Sequence, residues 1–107
     1  MKRLKFKEHL VQPVLSGEKD STWRLFDDKD LQVGDKLEFI NASSDEGFAN
    51  AEILSVREKK LGEIQEDDFD GHEKFKNPEE MYETYKNYYG DEVNSETSVK
   101  IIKFKLL

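Results

Sequence analysis

The residues best suited to chemistry fall in one short stretch, Gly17-Glu18-Lys19-Asp20-Ser21-Thr22-Trp23-Arg24. A lysine, a hydroxyl and an arginine held together make a site for an anionic or carbonyl-bearing ligand. The amine can take a proton from the hydroxyl, and the guanidinium can hold negative charge. The stretch enters a segment rich in β-formers, Ser21 to Phe26, which reads as a strand. Strand alternation puts Asp20, Thr22, Arg24 and Phe26 on one face and Ser21, Trp23 and Leu25 on the other. With Trp23 and Leu25 packed inward, Thr22 and Arg24 line a cavity or face water, and Lys19, at the turn, can lean either way. On composition alone the plainer reading is favoured: two solvated charges and a threonine that suits a strand.

A second stretch, Asp67-Asp68-Phe69-Asp70-Gly71-His72-Glu73-Lys74-Phe75, has aspartates spaced before a glycine. As a calcium loop it fails at both ends, with Glu66 at the first position and Asn77 at the closing one. His9 and His72 are the only histidines and cysteine is absent, so a zinc site of three histidines or of thiolates is excluded. No metal is expected. Basic residues gather at the two ends, as Arg3, Lys5 and Lys7 and again as Lys103 and Lys105. Neighbouring terminal strands would make of them one basic stripe, although lysines also protect a sheet edge from pairing, which is the plainer account. Tyr82, Tyr85 and Tyr88, three apart, read as the face of a helix packed on the core rather than as a platform for bases.

The elements that must position these residues follow from the pattern along the chain. The alternation Arg3-Leu4-Lys5-Phe6-Lys7 predicts a half-buried strand, and His9 to Ser16 a short helix stopped by Gly17. Strands are expected over 21–26, 36–41, 48–58 and 99–106, the 48–58 segment long enough to carry a bulge, and a short acidic helix over 61–69. Asn77-Pro78-Glu79-Glu80 combines an N-cap, a first-turn proline and acids at the positive end of the helix dipole. It starts a helix that ends at Gly90. The fold class expected is α+β: a small, mostly antiparallel β-barrel of five to six strands with two or three helices at its rim.

The chain has 107 residues, enough for a single domain over 1–107 and too few for two independent cores. Its formal charge is −7, from 17 basic and 24 acidic residues, which argues against a grip on long duplex DNA. No apolar run approaches the length of a membrane span, and the N-terminus has no apolar core of a signal peptide, so no membrane partner is expected and a cytoplasmic location is.

Taken in order, the short helix, the stretch Val14 to Arg24, Val33-Gly34-Asp35, Gly71 to Phe75, the helix ending Tyr88-Tyr89-Gly90 and the strand Ile101 to Phe104 resemble an ASCH domain, a branch of the PUA-like superfamily. The resemblance spans essentially the whole chain. Its most specific parts are Gly-x-Lys-x-x-Thr-x-Arg at 17–24 and the Gly34-Asp35 turn. It implies a PUA-like barrel with a cleft lined by the signature residues, and an association with RNA. It also resembles the single-domain members that act as N4-acetylcytidine amidohydrolases, in which the lysine is the base, the threonine the nucleophile and a glutamate the proton donor. By matched position these are Lys19, Thr22 and Glu73, the last taken from its place 17 residues before Gly90. Arg24, Ser21 and His72 are the residues expected to bind substrate or phosphate. The resemblance implies no cofactor. The partner expected is a modified nucleoside or a short RNA, and the chain is expected to be monomeric. A cleft that binds RNA or a nucleotide without catalysis is the alternative, and ribonuclease activity drawing on His72 a third.

Overall fold

The computed structural model describes residues 1–107. Five strands form one sheet in the order β1-β3-β4-β5-β2: β1 is Lys2–Phe6, β2 Ser21–Leu25, β3 Lys36–Asn41, β4 Glu46–Lys60 and β5 Ser98–Leu106. Two α-helices, α1 (Val11–Ser16) and α2 (Pro78–Tyr89), join them. Three of the four pairings are antiparallel, and β1 runs parallel to β3. The sheet curls into a half-barrel whose edges, β1 and β2, are not paired. Across this seam the Arg24 guanidinium of β2 donates to the Lys5 carbonyl of β1 at 3.0 Å.

The fold expected from sequence is the fold observed, with three differences. The acidic segment over 61–69 is two single 3-10 turns, Leu61–Glu63 and Glu66–Phe69, because its side chains cap the backbone locally instead of continuing a helix. The last strand lies between β4 and β2, with β3 and β4 separating it from β1, so the terminal lysines form no single stripe. Lys103 spends its charge on Asp20 and Asp70 instead, both at 3.1 Å. β4 reaches further than expected and carries its bulge at Leu54, which faces out between the pairings Ile53–Phe104 and Ser55–Lys103.

β5 is buried on both faces, which sets the layout. Ile102 and Phe104 join Leu4, Phe6, Leu37, Phe39 and Ile53 inside the curl. Val99 and Ile101 point the other way, into a second cluster with Trp23, Leu25, Met81 and Tyr85 that α2 covers. Helix α2 starts as its sequence dictates, with the Asn77 side chain accepting from the Glu80 amide at 2.8 Å. Helix α1 ends where Gly17 turns left-handed at φ 87°, and the chain then enters the 17–24 stretch.

The segment between β4 and α2 is held by Asp68, which is fully buried. Its carboxylate accepts from Arg57 at 2.9 Å, Lys59 at 2.8 Å and the Gln65 amide at 2.8 Å. These contacts keep it ionised, well below the usual aspartate range, although burial alone would raise it. Replacing Asp68 by Ala leaves the Gln65 amide unmet and both cations unpaired, and should lower stability by about 2–3 kcal/mol in urea unfolding, less than a wholly buried pair because Arg57 stays hydrated.

Candidate functional site

The cleft forms where the half-barrel fails to close. It has a volume of about 330 Å³ and is lined by β1 (Lys5, Phe6), the 17–24 stretch (Lys19, Thr22, Trp23, Arg24), the loop bearing His72 and Glu73, and α2 (Tyr85, Tyr88, Tyr89). Two sequence-distant segments meet there through one carbonyl. The amides of Asp20 and Ser21 both donate to the oxygen of Gly71, at 3.0 and 3.1 Å. Gly71 itself is left-handed at φ 72°, and a side chain there would run into the Asp20 carboxylate. The left-handed φ favours glycine.

That clasp brings Glu73 to Lys19. The Lys19 ammonium is 4% exposed and donates to Glu73 Oε2 at 2.8 Å and to the Ser21 carbonyl at 2.7 Å. An ammonium has three donors, so one remains for the cleft, where Thr22 lies, itself buried. Burial lowers the Lys19 pKa, with Arg24 adding to it, and this outweighs the pull of Glu73 in the other direction. Burial would raise Glu73, but the Lys19 ammonium that donates to it holds its carboxyl below the ordinary value.

His72 is buried and stacked on Trp23, with ring centroids 4.1 Å apart. Its Nδ1 lies 2.7 Å from the Glu73 carbonyl, and since a carbonyl only accepts, the ring proton sits on Nδ1. Nε2 is left unprotonated, 3.5 Å from the Tyr85 hydroxyl. Burial, together with Lys19, pushes its pKa down to about 4, so the ring is neutral near pH 7.

Five of the six residues singled out from sequence therefore meet in one cleft: Lys19, Thr22, Arg24, His72 and Glu73. Ser21 is the exception. Its hydroxyl is buried away from the cleft without a hydrogen-bond partner, and it contributes its carbonyl instead. Strand parity holds: Trp23 packs with Leu25 in the cluster under α2, while Thr22 and Arg24 turn to the cleft, whose inner edge Trp23 also reaches. The tyrosines do more than pack a core. Tyr85 is buried, but Tyr88 is 44% exposed and Tyr88 and Tyr89 form the far wall. The signal was present in Tyr88-Tyr89, two adjacent aromatics that one buried helix face cannot both absorb.

No protein-family model matches the chain, and no curated protein matches it. Solved structures do. The ASCH domain of Lactobacillus crispatus JV V101 superposes with a TM-score of 0.70 at 21% identity, covering 92% of this chain and 70% of that one. A protein of Enterococcus faecalis V583 assigned to the DUF984 family gives 0.76 at 16% identity, over 92% and 70%. ASCH of Zymomonas mobilis gives 0.69 at 8% identity, over 96% and 65%. At these identities the likeness is one of fold. The chain has the PUA-like fold of ASCH domains. None of its helices is long and apolar enough to cross a membrane.

The neutral His72 links stability to pH. Unfolded, a histidine binds a proton below about pH 6.5; folded, this one does so only below about 4. The unfolded chain thus holds the extra proton between those values, and stability should rise with pH from 4 to 6.5 and level off above. The full shift corresponds to about 3 kcal/mol. In thermal unfolding across pH 4–7, His72→Phe, which keeps the stack on Trp23, should show a flatter profile than wild type over that window.

Proposed function

We propose that the cleft hydrolyses the amide of N4-acetylcytidine-type nucleosides, with Lys19 as base, Thr22 as nucleophile and Glu73 as proton donor. The observation that carries this reading is the ion pair of buried Lys19 with Glu73 in the cleft that Thr22 lines. A base must be neutral and an acid protonated, and here one proton moving along a 2.8 Å hydrogen bond from Lys19 to Glu73 produces both at no change in net charge. Burial of Lys19 lowers the barrier to that shift, because it penalises the ammonium.

Neutral Lys19 takes the hydroxyl proton as Thr22 attacks the acetyl carbonyl. The ammonium so formed stands beside the developing oxyanion. Collapse breaks the carbon–nitrogen bond, Glu73 gives its proton to the departing N4, and cytidine leaves an acetyl-threonine. The proton gained by Lys19 then passes to Glu73, so that Lys19 can take one from the water attacking the ester. Glu73 returns its proton to the Thr22 oxygen as the ester bond breaks, and acetic acid leaves, ionising to acetate in solvent. Tyr88 and Tyr89 supply flat apolar walls for the base ring.

Binding of RNA or a nucleotide without catalysis uses the same walls and Arg24. The ribonuclease alternative draws no support from His72, which is neutral and commits Nδ1 to a backbone carbonyl.

With N4-acetylcytidine followed by ultraviolet absorbance, Thr22→Ala and Lys19→Ala should each lose at least about 100-fold in kcat, and Glu73→Gln a comparable factor. Turnover that persists in Thr22→Ala, which removes little volume, would refute the nucleophile; no turnover by wild type at high enzyme concentration would leave the cleft as a binding site.

A further inference from the structure

Arg24 is charged, half-buried and without a carboxylate. Lys19, Lys59, Lys100 and Lys103 sit in comparably enclosed places, and each holds an acid within 3.1 Å. Arg24 forms no such pair in a chain with seven more acids than bases. Its guanidinium lies over the Phe6 ring, 4.9 Å from the centroid, and one terminal nitrogen donates to the Lys5 carbonyl. Its Nε is inaccessible and has no partner. A guanidinium has five donors arranged to match a phosphate or carboxylate, and here most of them are uncommitted.

The surroundings point the same way. Lys7 lines the cleft and has no acidic partner; its ammonium is held over the Tyr88 ring, 5.2 Å from the centroid. The third lysine of the β1 side, Lys5, is offset by Asp45 at 3.3 Å. Of the acids that act on Arg24 through space, Glu73 is neutralised by Lys19 and Asp27 by Lys100 at 2.7 Å. Two cations therefore line the cleft with their charge unspent.

We infer that these two cations form an anion subsite and that the cleft takes its substrate as a nucleotide, with the base against Tyr88 and Tyr89 and a phosphate on Arg24 and Lys7. The inference rests on the base-binding part of the reading above but not on its chemistry. A neutral nucleoside leaves both cations unanswered, whereas a monophosphate supplies a charge-assisted partner to each.

The test is calorimetric titration of wild type with cytidine and with cytidine 5′-monophosphate at low salt. The monophosphate should bind at least about tenfold more tightly, the gain expected of charge-assisted hydrogen bonds to one anion, and the gap should narrow as salt is raised. Lys7→Gln, exposed and tolerant of change, should shrink that ratio several-fold. Arg24→Gln should nearly abolish it where the protein still folds, and Lys105→Gln, an exposed lysine on β5, should leave it as it is. Equal affinity for the two ligands, a ratio unmoved by Lys7→Gln, or binding of neither would overturn the inference. A nucleotide preference in a protein that hydrolyses no acetylcytidine would uphold the subsite and refute the hydrolase, so the two fail separately.

Discussion

The site hangs on one backbone oxygen. The Gly71 carbonyl accepts the amides of Asp20 and Ser21, and this double acceptance ties the loop before α2 to the first residue of β2. With the Lys103 bridge between Asp20 and Asp70 and the His72–Trp23 stack, it holds Lys19 and Glu73, 54 residues apart in sequence, at contact distance. The clasp is backbone-made, so it tolerates side-chain variation on either side. At Gly71 the left-handed φ favours glycine, and a Cβ would push the Asp20 carboxylate aside.

The second constraint is the unpaired seam. A closed barrel of this size fills its interior with side chains. Here β1 and β2 stop short of each other, and the space is spanned by a side chain, Arg24, rather than by a ladder of backbone bonds. The groups the site needs can then approach from both edges. Helix α2 roofs the opening because β5 must bury its outer face as well as its inner one. The residues that cover Ile101 and Trp23, chiefly Tyr85, are followed one turn later by Tyr88 and Tyr89, which form the wall. Core packing and cleft shape thus come from the same helix.

The sequence made the elements legible wherever local chemistry decides them: the Asn77-Pro78 helix start, the Gly17 stop, the alternation of β1. It also marked Lys19, Thr22 and Arg24 by type and spacing. Partners fixed only by the tertiary fold were not legible. Nothing local says that β1 pairs with β3 in parallel, that β5 runs through the middle of the sheet, or that the terminal lysines are parted. Strand parity read β2 correctly, because Trp23 and Leu25 pack under α2 and Thr22 and Arg24 turn to the cleft. The acidic 61–69 segment misled because Glu63 and Asp68 hydrogen-bond back to the backbone, ending each turn where an uninterrupted helix was expected.

The charge of the molecule, −7 overall, sits on its outside, and most of its cations are paired there. Fields of exposed charges fade over about 8 Å at physiological ionic strength, so a ligand inside the cleft feels the groups lining it more than the distant surface. On the inference drawn above, one or two phosphates at Arg24 and Lys7 avoid that acidic surface, across which a long polyanion must lay many charges. Lys19 is 4% exposed while Glu73 keeps 40% of its side chain exposed, so the pair is dehydrated on one side only. A pair of this kind returns little net stability against the cost of desolvating its buried ion. On the proposed reading the pair stands in the cleft for the proton it can move rather than for what it adds to the fold.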